Sequence, residues 1–241
     1  MKATLLIKNI ENCYTCDSSF QILKHAYIAI HHDKIIDIGT GSYMNWIEPT
    51  TRVIDAVGET VIPAMIDCHY QGFRNVRLGD QLRENNAALY AMSQNGILTL
   101  LTSDPKVQRK ELTQDVFLTK TKSSYPVIET ESDYFEDKPK QFLLSCGFGS
   151  LNRYVYSFQP ICHHLFTMMQ VSSQALLEGM TSLPAKEFHL TDRGSLEVGK
   201  CADILILQVP TIEHYFQTIG RPLIHRMIKN GIQFYPQWMV C

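Results

Sequence analysis

Between Tyr70 and Cys162 the chain has no histidine. Any metal centre drawing imidazole ligands from that interval is therefore excluded. Long hydrophobic runs are missing too: no stretch reaches the roughly 18 apolar residues a membrane helix needs. There is no surplus of positive charge, with 22 Lys and Arg against 24 Asp and Glu and a net charge of −2, which excludes nucleic acid as a partner. The N-terminal MKATLLIKNI is broken by Lys8 and Asn9 too early for a secretory segment. Glycine-rich phosphate loops and Ser-His-Asp signatures are absent as well. The seven cysteines, an odd number without an export signal, read as reduced thiols in the cytoplasm.

What is present is a globular composition, 45% hydrophobic and 19% charged over 241 residues. Residues 3–62 read as short strands, TLLIKNI, AYIAIHH, KIIDIG and RVIDA, with a tight turn at Asp33-Lys34. Beyond residue 62 the period changes. Strand AMIDCHY precedes a helix over 81–95, Gly96 stops it, and ILTLLTS is a buried strand. A second helix is expected over 106–120, with Val107, Leu112, Val116, Phe117 and Leu118 as its apolar face. Residues 121–140 are acidic and hold two prolines, which predicts a surface loop or linker with a short strand in YPVIE. QFLLSCGFG is another buried strand, helices follow over 159–170 and 172–181, and β-structure returns in ADILILQ and LIHRMIKNGIQFY, where Asn230-Gly231 marks a hairpin. Strands at both ends with βα units between them predict a composite β-domain, residues 1–62 and 191–241, around an α/β insert, residues 63–190.

Two stretches resemble a known family. TRVIDAVGETVIPAMIDCH is similar to the segment leading into the barrel of the amidohydrolase superfamily, and TDRGSLEVGKCADILIL, residues 191–207, to its exit into the C-terminal sandwich strands. LEGMTSLPAKEFHLTDRGSLEVGKCADILIL and VPTIEHYFQTIGRPLIHRMIKNG look most like the imidazolonepropionase family. The resemblance covers roughly 1–104 and 141–235, and it implies a (β/α)8 barrel with a mononuclear zinc or iron site. His-x-His on the first strand would supply two ligands, and a later His and a last-strand Asp would complete the set. Position by position, the chain departs from that pattern. His69 is kept but Gln71 replaces the second His, and the Asp position falls on Cys146 or Gly147. Because a complete barrel takes roughly 250 residues, the insert has room for about half the units. The fold expected is thus α/β, a truncated (β/α)8-type barrel with a β-sandwich built from both termini.

His69, Gln71 and Cys146 are therefore expected to be a vestigial site, with no catalytic residue, no metal and no cofactor. Arg74 and Arg77 are candidates for carboxylate binding. Cys13-Tyr14-Thr15-Cys16 has CxxC spacing but no second pair, and reads as a loop with two thiols. His31-His32 and His163-His164 are adjacent pairs whose side chains diverge, so neither pair shares one metal. Two functional readings stand: a degenerate imidazolonepropionase-like protein, without hydrolase activity, that binds or interacts; or an active metal-dependent hydrolase of a cyclic amide C–N bond with a rearranged site. An incomplete barrel leaves open sheet edges, so a homodimer covering them is expected.

Overall fold

The structure is a computed structural model that describes residues 1–73, 78–104, 109–110, 114–119, 122–150 and 153–235. Its elements, in chain order, are β1 (Leu5–Tyr14), β2 (Ile22–His31), β3 (Lys34–Thr40), β4 (Arg52–Asp55), β5 (Thr60–Pro63), β6 (Met65–Tyr70), α1 (Leu78–Gln94), β7 (Ile97–Thr102), β8 (Arg109–Lys110), β9 (Asp115–Leu118), β10 (Val127–Ile128), α2 (Glu131–Asp137), β11 (Leu143–Leu144), α3 (Gln159–Thr167), α4 (Ser173–Met180), α5 (Ser182–Glu187), β12 (Ile204–Leu207), α6 (Ile212–Gln217), β13 (Ile224–Lys229) and β14 (Ile232–Tyr235). They form two compact units, one of Met1–Ala64, Leu190–Tyr215 and the chain from Arg221 on, the other of Met65–His189 and Phe216–Gly220. Among the described residues no helix is long and apolar enough to cross a membrane.

In the first unit an eight-stranded sheet runs β14-β13-β12-β5-β1-β2-β3, with β4 also on β1. Its two chain ends meet where β12 pairs antiparallel with β5, Leu205 opposite Ile62. Alternation along β1 sorts its side chains: Leu5 and Ile7 join Ile28, Ile30, Val61 and Ile204 in one core cluster, while Leu6 packs with Ala3, Tyr27 and Ala29 in another. The register of β1 on β2 shifts between Ile7 and Ile10, where Asn9 takes φ 55°. That bulge reverses parity, so Ile10 falls on the same buried face as Ile7. The β13–β14 hairpin turns at Asn230 and Gly231, φ 49° and 74°, as a tight turn with two positive φ values requires. A Cβ at Gly231 would lie 1.7 Å from the His32 carbonyl oxygen. Beneath the hairpin, Lys229 Nζ meets Asp203 Oδ2 at 2.5 Å with both side chains buried. Asp203 also faces the Arg193 guanidinium at 3.7 Å and accepts from Asn230 N, so neither buried charge lacks a counterpart.

The second unit is built from βα segments. β6, β7 and β9 run parallel and β8 lies antiparallel on β9; β10 and β11 form a separate parallel pair. Every residue of β7 is buried, Thr99 and Thr102 included, as in a strand covered on both faces. The fold is thus mixed α/β, with sheets and no closed barrel among the described residues.

Two expectations are corrected. Within 106–120, Arg109–Lys110 and Asp115–Leu118 are strands rather than a helix; the remainder of that stretch lies partly outside the described residues. Val116, Phe117 and Leu118 are a short continuous apolar run, which fits a parallel strand as well as a helix face; pairing of Leu100 with Val116 decides it. Residues 121–140 are more than a loop. They hold β10, at the strand expected in YPVIE, and α2, whose start is fixed by a capping box between Thr130 and Asp133.

Candidate functional site

Strand β6 supplies the frame. Asp67, His69 and Gln71 occupy alternate positions at the end of β6 and just past it, with Asp67 buried and His69 exposed. Asp67 is fully buried. Its carboxylate accepts hydrogen bonds from the His69 backbone N–H at 2.9 Å, from Ser145 Oγ at 2.9 Å and from the Cys146 backbone N–H at 2.9 Å. Burial pushes this carboxyl above its ordinary value, against the downward pull of those three bonds. Together with a bond from Gln71 N–H to the Phe148 carbonyl at 3.0 Å, they tie the end of β6 to the chain leaving β11.

The His69 side chain is 48% exposed and its Nδ1 is paired with Glu129 Oε1. A carboxylate only accepts, so Nδ1 carries the proton and Nε2 is the acceptor. Gln71 Nε2 lies 3.0 Å from that Nε2 and donates to it. Glu129 follows β10, and the loop holding it is fixed because Asp133 Oδ2 accepts from the backbone N–H groups of Glu129 and Thr130. Burial opposes ionisation of Glu129, but hydrogen bonds from His69 and Ser150 and the nearby Arg153 guanidinium outweigh it and hold the carboxyl below its usual range. Arg153 closes the cluster. Its Nη2 is 3.6 Å from Glu129 Oε2 and its Nη1 donates to the Glu129 carbonyl at 3.3 Å.

Gly147 explains how Arg153 gets there. Its φ is +67°, and a Cβ there would lie 2.7 Å from Arg153 Nη2 and 3.2 Å from Glu129 Cβ. The guanidinium thus fills the space that a side chain at this strand end would need. An aromatic wall stands alongside: Tyr70 stacks on Phe148 at 5.1 Å, and Phe73 on Tyr154 at 4.7 Å.

Of the residues singled out in the sequence, the structure brings His69 and Gln71 together. Cys146 is buried and reaches the cluster through its backbone bond to Asp67; burial and the Asp67 charge push its thiol well above the usual range. Arg74 and Arg77 lie outside the described residues. Cys13 and Cys16 are buried and outside any disulfide, with the Cys13 thiol pushed up by burial. In each adjacent histidine pair, one ring is held by a backbone carbonyl: His31 Nδ1 contacts that of Lys2 and His163 Nδ1 that of Phe216. Sequence reading missed Glu129, Arg153, Asp67 and Ser145. Asp67 carried a signal, an acidic residue two positions before His69 on the same strand. Glu129 and Arg153 carried none, since each is far from His69 in sequence.

The donors do not fit a catalytic metal. Such a zinc site takes about three protein ligands. Here His69 has both ring nitrogens engaged, Gln71 is a neutral amide, and the Cys146 thiol holds its proton. Among the described residues, no three His, Cys, Asp or Glu side chains are grouped to hold a metal ion.

No family model matches the chain, and no curated protein does. Solved structures do match. An enamidase described as a member of the amidohydrolase superfamily has a TM-score of 0.70 at 12% identity, covering 95% of each chain. The chain shares its fold with that enamidase. An amidohydrolase from an environmental sample of the Sargasso Sea has a TM-score of 0.67 at 12% identity, covering 95% of this chain and 92% of that one. An adenosine deaminase from Xanthomonas campestris with bound zinc has 0.63 at 9%, covering 96% and 93%.

Proposed function

We propose that this chain is an imidazolonepropionase-like relative of the amidohydrolases that has exchanged its metal centre for a hydrogen-bonded cluster and serves as a binding or interaction protein rather than a hydrolase. On this reading the second unit is a barrel remnant of about half the usual units, and the two chain ends build one β-sandwich. The carrying observation is the state of His69: Nδ1 is paired with Glu129 and Nε2 accepts from Gln71. No lone pair is left for a metal without breaking one of these contacts. A fixed cation, Arg153, stands beside Glu129 instead. The open strand edges expected of such a remnant favour a homodimer, which sedimentation at micromolar concentration tests; a monomer overturns that part alone.

Elemental analysis of protein purified without chelator, combined with an imidazolone propionate ring-opening assay, tests the whole. No stoichiometric zinc or iron and no turnover are expected, and Gln71→His alone restores neither. One metal per chain, lost in His69→Ala together with turnover, would establish the hydrolase reading instead.

A further inference from the structure

Outside the candidate site, one side-chain cluster joins a nucleophile to an amine. Lys34 opens β3, and Cys201 lies just before β12; the two residues form an antiparallel bridge. Flanking backbone bonds hold the pair in register: Ile35 N–H to the Lys200 carbonyl at 3.0 Å, Gly199 N–H to the Ile35 carbonyl at 2.8 Å, and Ala202 N–H to the Asp33 carbonyl at 2.8 Å. On this rigid frame Lys34 Nζ lies 3.3 Å from Cys201 Sγ, and Sγ lies 3.2 Å from Asp192 Oδ2. The thiol is 6% exposed, while the Lys34 side chain is 41% exposed.

We propose that Lys34 and Cys201 are an oxidative modification site, joined by hydrogen peroxide through a covalent S–N bond. Both partners matter. Burial and the hydrogen bond to Asp192 push this thiol up on balance, and the Lys34 ammonium beside the sulfur works against them, so the reacting thiolate is a minor form that Lys34 supports. In the first step the Cys201 thiolate attacks one peroxide oxygen and the O–O bond breaks. Sulfur is oxidised to a sulfenic acid and peroxide is reduced. The departing hydroxide takes a proton from the Lys34 ammonium, giving water and a neutral amine. In the second step that amine attacks sulfur and the S–O bond breaks. The leaving hydroxide takes a proton from nitrogen, giving a second water and the sulfenamide. Sulfenic acids condense with a thiol or a nitrogen, whichever is in reach. Here bulky thiols are kept from the buried sulfur, and the Lys34 amine is in contact with it. The product ties residues 167 apart in sequence, so it fastens the C-terminal part of the first sheet to the N-terminal part.

Peroxide treatment, thiol blocking, proteolysis and mass spectrometry test this. The expected product is a linked pair of peptides carrying Lys34 and Cys201, lighter than their sum by two hydrogens and released by dithiothreitol. Oxidised protein should melt higher, and reductant should reverse the shift. Lys34→Arg, which keeps the charge but has no amine to attack, and Cys201→Ser should each abolish the link. Cys201 recovered as sulfinic or sulfonic acid with Lys34 free would overturn the proposal, as would an unmodified Cys201 or a link that retains an added oxygen. These readouts concern the first unit alone and are independent of the metal question at His69.

Discussion

Each unit holds a histidine, a glutamate and an arginine in one cluster. In the first unit, Glu59 pairs with His225 through one carboxylate oxygen and with Arg226 through the other at 3.1 Å. In the second, Glu129 pairs with His69 and faces Arg153 at 3.6 Å. The glutamates are similarly shielded, 9% and 12% exposed. One carboxylate gathering a histidine and an arginine is thus a device the chain uses to fasten a strand to a loop, and finding it at His69 does not by itself signal catalysis. The clusters differ in two ways. His225 and Arg226 are neighbours on β13, whereas His69, Glu129 and Arg153 come from three separate stretches. Only at His69 does a neutral side chain, Gln71, take the remaining ring nitrogen. That extra contact sits at the C-terminal end of strand β6, where βα folds place their chemistry.

The buried pair Lys229–Asp203 sets the upper end of the comparison, because neither charge there reaches solvent. Asp203→Ala removes the buried carboxylate that faces the Lys229 ammonium and should destabilise by about 3–5 kcal/mol, measured by urea unfolding. Next come Glu59→Gln and Glu129→Gln. Both keep the shape of the side chain and weaken a charge-assisted contact, so each should destabilise by about 1–3 kcal/mol. A Glu129→Gln variant more stable than the parent would break the comparison, since relief of strain on substitution is the mark of a working active site. Acid should reveal the same asymmetry in a gentler form. The folded-state carboxyl of Glu129 lies below its unfolded value of 4.5. Its contribution is therefore fully present above that value and is lost as pH falls through the folded one. The difference in stability between parent and Glu129→Gln should shrink on acidification below about pH 4.5; a difference that grows contradicts the ionised pairing. Gln71→Ala should have the smallest effect, under about 1 kcal/mol, because it removes one part-exposed hydrogen bond.

Much of the first unit was legible from alternation and turn chemistry. Ile28 and Ile30 mark one face of β2, and Asn230-Gly231 marks the β13–β14 hairpin before any tertiary contact is known. The helix at 78–94 and the strand at 97–102 were legible for the same reason, a clear change of period. Val116 to Leu118 was not, because three consecutive apolar residues satisfy either period and only pairing with β7 decides. α2 was hidden by its acidic, proline-flanked surroundings, although Thr130 and Asp133 carry a capping signature. At the site, His69 and Gln71 could be read from strand spacing. Glu129 and Arg153 could not, because they reach His69 through folding alone, over sequence separations that no local pattern spans.

Nitrogen NMR of the His69 ring, assigned by comparison with His69→Ala and followed through a zinc titration, addresses the exchange of metal for hydrogen bonds most directly. The expected spectrum has a protonated Nδ1 and an acceptor Nε2, with neither signal moved by one equivalent of zinc. A stoichiometric zinc-dependent shift of the His69 nitrogens, accompanied by release of the Gln71 amide, would contradict it.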